Sequence, residues 1–155
     1  MDDNNCSKNN VIMILVPCGG IIFALAIIVA IFCINPPNTV CGEEWIQYGK
    51  KCYYFSTVTN NKTTASSECK SMNGKLASID NAKEANFMLR YNCGEDHWIG
   101  IERSNDNTTW VNEDGKPCND IIVKGNGVCA YLGNGLIEST ICSDYKKWIC
   151  CYTIY

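Results

Sequence analysis

Nine cysteines at positions 41, 52, 69, 93, 118, 129, 142, 150 and 151 constrain this chain more than any other feature. Paired cysteines persist in oxidising compartments and are rare in the cytosol. The half of the chain after residue 40 is therefore expected to face the cell exterior or a secretory lumen. Zinc sites recruit Cys in close C-x-x-C pairs or together with His. The chain has no C-x-x-C and a single His, so a disulfide framework is the better reading.

Ahead of that framework lies an apolar run. Residues 11–34 read VIMILVPCGGIIFALAIIVAIFCI, without a charge. As a helix rising about 1.5 Å per residue, the run could extend to about 36 Å, enough for a hydrocarbon core of roughly 30 Å. A cleaved signal peptide would have a shorter apolar stretch behind a positive segment. Here MDDNNCSKNN precedes the run, with one Lys against two Asp. The expectation is an uncleaved signal-anchor. The positive-inside rule is nearly silent, because Lys8 flanks one side and Lys50 and Lys51 the other. The cysteines supply the orientation, since nine of the twelve follow the run. Two N-x-[ST] acceptors, Asn61 and Asn107, follow it too. The expected layout is type II: a cytoplasmic tail at 1–10, a transmembrane helix at 11–34, a Pro36-Pro37 linker at 35–40 and an outer domain at 41–155.

The tail has no Tyr and the apolar run no Lys, Arg, Asp or Glu. Intramembrane charges are what pair such helices with adaptor subunits. A chain of this kind suits a ligand, a decoy or an envelope component better than a signalling receptor. The formal net charge is -3, with no basic patch, so nucleic acid is not an expected partner.

Within the outer domain, CGEEWIQYGKKCYYFS places Trp45, Ile46, Tyr48, Tyr53, Tyr54 and Phe55 in strands around a Gly49-Lys50 turn. Ala65, Cys69 and Met72 follow at helical spacing, with Gly74 as the stop. Asn81 with Glu84 three residues on is an N-cap signature. Ala82, Ala85, Met88 and Leu89 would form the apolar face of the second helix. From His97 onward, short strands alternate with Gly, Asn and Asp turns. Two helices followed by a strand-rich half make an α+β pattern.

The motif order C-x3-W-I-x-Y-x3-C-Y-Y-F-S, a helical Cys69, His97-Trp98-Ile99-Gly100, Cys129-Ala130-Tyr131-Leu132, Cys142 and Trp148-Ile149-Cys150 resembles the C-type lectin-like domain in its long form. The resemblance covers residues 41 to about 151. Leu89-Arg90-Tyr91 followed by His97-Trp98-Ile99-Gly100 is similar to the ligand branch of the natural-killer gene complex, the early activation antigen and lectin-like transcript type. Poxvirus-encoded relatives share this layout.

That resemblance implies bridges Cys41–Cys52, Cys69–Cys150 and Cys129–Cys142, although spacing alone permits other pairings. It leaves Cys93, Cys118 and Cys151 over. The expectation is a fourth bridge, Cys93–Cys118, with Cys151 free to link a homodimer or to serve as an alternative partner of Cys69. Sugar-binding members hold Ca²⁺ with Glu-Pro-Asn or Gln-Pro-Asp and with Trp-Asn-Asp. The first two are missing here, and the last is replaced by Ile137-Glu138-Ser139. Ca²⁺ needs six to eight oxygen ligands, so no metal, no cofactor and no calcium-dependent sugar binding are expected. An enzyme is not expected either. His97 sits in a core-strand motif, and no nucleophile–base–orienter set is visible. Trp45, Trp98, Trp110 and Trp148 are assigned to packing. The loops from Glu102 to Thr109 and from Glu113 to Gly127 remain as candidate recognition surface.

The functional expectation is a membrane-tethered ligand or viral mimic that engages a lectin-like cell-surface receptor without calcium, in the service of immune evasion. The alternatives are a viral envelope glycoprotein with a role in virion release or entry, and calcium-independent carbohydrate binding.

Overall fold

The computed structural model describes residues 40–155, together with the isolated residue Ile27. The expected tail and membrane span otherwise lie outside the described residues, as does the linker up to Val40. Among the described residues no helix is long and apolar enough to cross a membrane.

The described residues from 40 onward build a domain of nine strands and two helices. The order is β1 (Ile46–Tyr48), β2 (Lys51–Phe55), α1 (Lys62–Ser71), β3 (Lys75–Leu76), α2 (Ala82–Tyr91), β4 (His97–Arg103), β5 (Trp110–Asn112), β6 (Val123–Lys124), β7 (Cys129–Leu132), β8 (Ile137–Thr140) and β9 (Lys147–Thr153). The first hairpin forms where the strand pattern places it, with Gly49 in the left-handed region at φ 61°. The main sheet path is β1-β2-β9-β4-β7-β8-β6, with β3 added on β9 and β5 on β4. The last strand therefore lies between the N-terminal hairpin and the strand-rich half. It runs antiparallel to β2 and parallel to β4, where Trp98 faces Trp148.

Side chains alternate across a strand, so β4 and β9 feed two cores. Ile99, Ile101, Ile149 and Cys151 pack with Tyr53, Leu132 and Met88 of α2. Trp98, Trp148 and Cys150 pack on the other side with Ala65 and Cys69 of α1. One helix thus contributes to each core. Gly100 is needed where β3 crosses β4. A Cβ there would lie 2.5 Å from the Leu76 carbonyl oxygen, and the Gly100 amide donates to Ala77 at 2.8 Å.

α1 is capped by Asn61, whose Oδ1 accepts from the Thr64 amide at 2.9 Å. It ends one residue earlier than expected. Asn73 takes the left-handed position at φ 58°, while Gly74 serves close approach, its Cβ position lying 2.9 Å from the Cys151 carbonyl oxygen. α2 carries the expected cap, with Asn81 Oδ1 accepting from the Glu84 amide at 3.0 Å. Ala85, Met88 and Leu89 face the core, whereas Ala82 is exposed.

Glu84 does more than complete that cap. Its carboxylate is almost fully buried and accepts from the Tyr53 hydroxyl, from Lys51 Nζ at 2.7 Å and from the Asp80 amide at 2.7 Å. Burial opposes the charge on Lys51, but its ion pairs with Asp80 and Glu84 outweigh that, and the ammonium pKa is raised. Burial and then the Glu84 carboxylate push the Tyr53 phenol upward.

Three bridges form: Cys41–Cys52, Cys69–Cys150 and Cys129–Cys142. The first staples the β1–β2 hairpin, and the second ties α1 to the central strand β9. The alternation of β9 explains why Cys150 rather than Cys151 pairs with Cys69: the two cysteines point to opposite cores.

The expected Cys93–Cys118 bridge is absent; both thiols are free. Cys118 shares a cleft with Ser78–Ala82 at the start of α2, and Cys93 follows its end. Ten helical residues at about 1.5 Å each hold these ends roughly 15 Å apart, whereas a disulfide needs Cα atoms within about 7 Å. The expected Cys151-linked homodimer fails on burial, since Cys151 is 3% exposed. That burial pushes its thiol up to about 11.

Candidate binding surface

The first candidate loop is shorter and stiffer than its composition suggests. Glu102 and Arg103 belong to β4, and the connection is Ser104–Thr109. The Ser104 amide donates to the Thr109 carbonyl at 2.8 Å. Asp106 Oδ1 accepts from the Thr108 amide at 3.1 Å and from the Ser104 and Thr108 hydroxyls. Those hydrogen bonds, Ser104's first, hold its carboxyl below the usual range. Asn107 stands at the tip, exposed and left-handed at φ 60°. Trp110 follows, with the Arg103 guanidinium 4.5 Å from its ring centroid.

The second loop is pinned as well. Asn112 Oδ1 accepts from the Asp114 and Lys116 amides at 3.0 and 2.9 Å. Asp114 pairs with Lys75, and Glu113 accepts from the Ser66 hydroxyl at 2.8 Å. Part of the expected loop is a strand, β6, which pairs in parallel with β8. Just before it, Ile122 is 83% exposed. Val128 and Ile141 are exposed too, but at the other end of the β7–β8 pair, where Cys129 faces Thr140, whereas Val123 lies beside Ile137.

The position that would carry calcium chemistry is otherwise engaged. Glu138 lies on β8, where Oε2 accepts from the Tyr131 hydroxyl at 3.2 Å. Burial, and then Glu138, raise that phenol to about 12. Lys146 Nζ sits 3.8 Å from the Tyr131 ring centroid and 2.8 Å from Asp96 Oδ2. Among the described residues no three His, Cys, Asp or Glu side chains gather as a metal site.

His97 is buried at the start of β4, its Nδ1 2.9 Å from the Glu95 carbonyl, with Phe55 edge-on to the ring. Burial lowers its pKa. Trp98 and Trp148 are core residues as expected. Trp45 and Trp110 are only half-buried: Trp45 packs on Tyr54 and Tyr152, and Trp110 under Arg103. Of the two expected glycan acceptors, Asn107 is exposed at a loop tip, whereas Asn61 is the partly buried cap of α1.

Sequence reasoning missed Lys62, the middle residue of the Asn61 acceptor motif. It is 6% exposed, and its Nζ donates to the Ile101 carbonyl at 2.8 Å, tying α1 to β4. Burial lowers its pKa. A lysine between two polar residues carries no signal of such burial.

The Lectin C-type domain family matches residues 45–152, and the chain belongs to that family. A Fowlpox virus (strain NVSL) protein named for the C-type lectins is 44% identical over 147 residues, 90% of each chain. Human early activation antigen CD69 is 36% identical over 111 residues, which cover 71% of this chain and 55% of CD69. Human C-type lectin domain family 2 member B is 35% identical, covering 73% of this chain and 76% of its own. The chain spans about half the length of several mammalian relatives, for instance 54% of mouse family 2 member H. The early-activation-antigen resemblance legible in the motifs is thereby borne out. These relatives are lectin-like binding proteins rather than enzymes. Among solved structures, the mouse scavenger receptor C-type lectin carbohydrate-recognition domain superposes with a TM-score of 0.68 at 25% identity, covering 73% of this chain and 96% of that one. A calcium-independent type II antifreeze protein shares the fold at 21% identity and a TM-score of 0.69, covering 75% of this chain and 96% of that one.

Proposed function

We propose that this chain is a type II membrane protein whose lectin-like outer domain binds a protein partner without calcium. The partner is a natural-killer-type receptor of similar fold, and the chain acts as its ligand or as a viral mimic of that ligand. The observation that carries this reading is the fate of the calcium position. Glu138 is hydrogen-bonded to Tyr131, and its neighbour Asp96 is ion-paired with Lys146, whose ammonium lies against the same ring. A fixed cation already engaging one of two carboxylates opposes a divalent ion. Relatives such as CD69 and the family 2 members support the choice of branch. The apolar run at 11–34 and the three bridges support the orientation, with the outer domain on the host cell surface or a virion envelope.

Receptor-reporter cells test the proposal. Cells displaying the full chain should trigger at least one lectin-like natural-killer receptor, with chelator present or not. Silence across the panel would reject it. A second reading, an envelope glycoprotein acting in virion release or entry, draws on the fowlpox relative that matches 90% of each chain. Recovery of the protein in purified virions, rather than only on infected-cell membranes, would favour that reading.

A further inference from the structure

A cleft of about 430 Å³ opens between the N-terminal half of α2 and the segment from Asn112 to Ile122. Such a volume lies within the roughly 300–1,000 Å³ range of small-molecule sites. Its apolar lining comes from Ile79, Ala85, Cys118, Ile121 and Ile137, which belong to or pack against the α2-side core.

Three polar groups on its wall stand out. Ser78 is 7% exposed and lines the cleft, and no side-chain hydrogen bond engages its hydroxyl among the described residues. The hydroxyl is not sealed from solvent, since Trp148 Nε1 is the one buried, unpartnered side-chain polar atom among the described residues, so an oxygen entering the cleft would replace water on it. Asn81 and Asn112 also line the cleft. Their Oδ1 atoms are committed to the Glu84 amide and to the Asp114 and Lys116 amides. Their Nδ2 groups have no acceptor among the described residues. The cleft therefore offers one hydroxyl and two amide donors beside an apolar lining.

Charge at the site discriminates further. Asp80 and Asp120 both line it, against the single cation Lys116, and Asp80 already engages Lys51. A carboxylate ligand would meet two like charges. We propose that the cleft binds a small uncharged molecule with a short apolar body and one carbonyl or hydroxyl oxygen. The oxygen accepts from Ser78 and the asparagine amides, and the body lies on Ile79, Ile121 and Ile137. This inference is independent of the receptor reading, and either can fail without the other.

Methyl NMR of the isoleucine-labelled full chain in lipid nanodiscs tests it, with 2-heptanone as probe and heptanoate as its charged counterpart. The expected result is saturable shifts at the Ile79, Ile121 and Ile137 methyls with 2-heptanone, and at least tenfold weaker binding of heptanoate. Ser78→Ala should weaken 2-heptanone binding by a factor of about five, the usual worth of one hydrogen bond. Ala85→Phe should abolish it by filling the cleft. Ala82→Phe, at an exposed position on the cleft wall that the fold does not need, should weaken it and guards against a folding defect in the first variant. Shifts that do not saturate, or that persist in both Phe variants, would overturn the site. Equal binding of heptanoate would overturn the assignment of an uncharged ligand.

Discussion

Replacing Glu84 with Ala should destabilise the lectin-like domain more than any other single change at a non-cysteine polar position. The carboxylate is 3% exposed and serves three donors. Its removal strands the Tyr53 hydroxyl on a residue that is 0% exposed, at about 1–3 kcal/mol. Lys51 loses one of two carboxylates but keeps Asp80 at 2.7 Å and is partly solvated, so its share is about 1 kcal/mol or less. The Asp80 amide loses an acceptor, at about 1 kcal/mol. The sum is about 2–5 kcal/mol. At about 4 °C per kcal/mol for a domain of this size, Tm should fall by about 8–20 °C. Tyr53→Phe removes the hydroxyl without stranding a partner and should cost only about 1 kcal/mol. The double variant should therefore cost at least about 1 kcal/mol less than the sum of the singles. Guanidinium denaturation with the bridges intact reads all four corners of the cycle. A Glu84→Ala variant within about 1 kcal/mol of wild type, or strictly additive singles, would refute the reasoning.

Two further outcomes follow from groups on the same scaffold. Burial holds the folded-state pKa of His97 below the ordinary imidazole value of about 6.5, so the unfolded chain takes up the proton first. Stability should be flat above that value and fall as pH drops through it, and His97→Asn should lose this component of the slope; an unchanged pH profile would refute it. Non-reducing peptide mass spectrometry should recover Cys41–Cys52, Cys69–Cys150 and Cys129–Cys142, with Cys93, Cys118 and Cys151 free, whereas a Cys93–Cys118 peptide would contradict the separation of the two ends of α2. Removing Cys69–Cys150, which spans 81 residues, should cost about 4–5 kcal/mol by loop-closure entropy; a loss below about 2 kcal/mol would contradict that account.

Elements whose signals are local were legible in the chain. The β1–β2 hairpin, the Asn81 cap and the Ala65–Cys69 stripe each declare themselves within a few residues, and all three form. The partition of the last two cysteines was not legible. Cys150 and Cys151 are neighbours, and only the pairing of β9 with β2 and β4 decides which face each one meets. The same non-local logic hides β3, two residues long, and β6, whose partner β8 lies beyond β7. The excluded Cys93–Cys118 bridge depends on where the 112–122 segment packs along α2, which no spacing rule encodes.

The surface divides in the same way. Asn, Asp and Gly between Ser104 and Gly127 mark turns correctly. They do not reveal that Asp106 and Asn112 tie these turns into fixed shapes, or that Ile122 stands out from them. Glu84 looks like a capping residue in sequence because its first role is local. Its contact with Tyr53, 31 residues away, exists only in the fold.

The most direct test of the account is surface plasmon resonance between the purified protein and a panel of natural-killer-type lectin-like receptors, run in calcium and again in EDTA. Saturable binding to at least one receptor, with the same affinity in both buffers, is the predicted result. Binding that vanishes in EDTA, or no binding to any receptor, would contradict it.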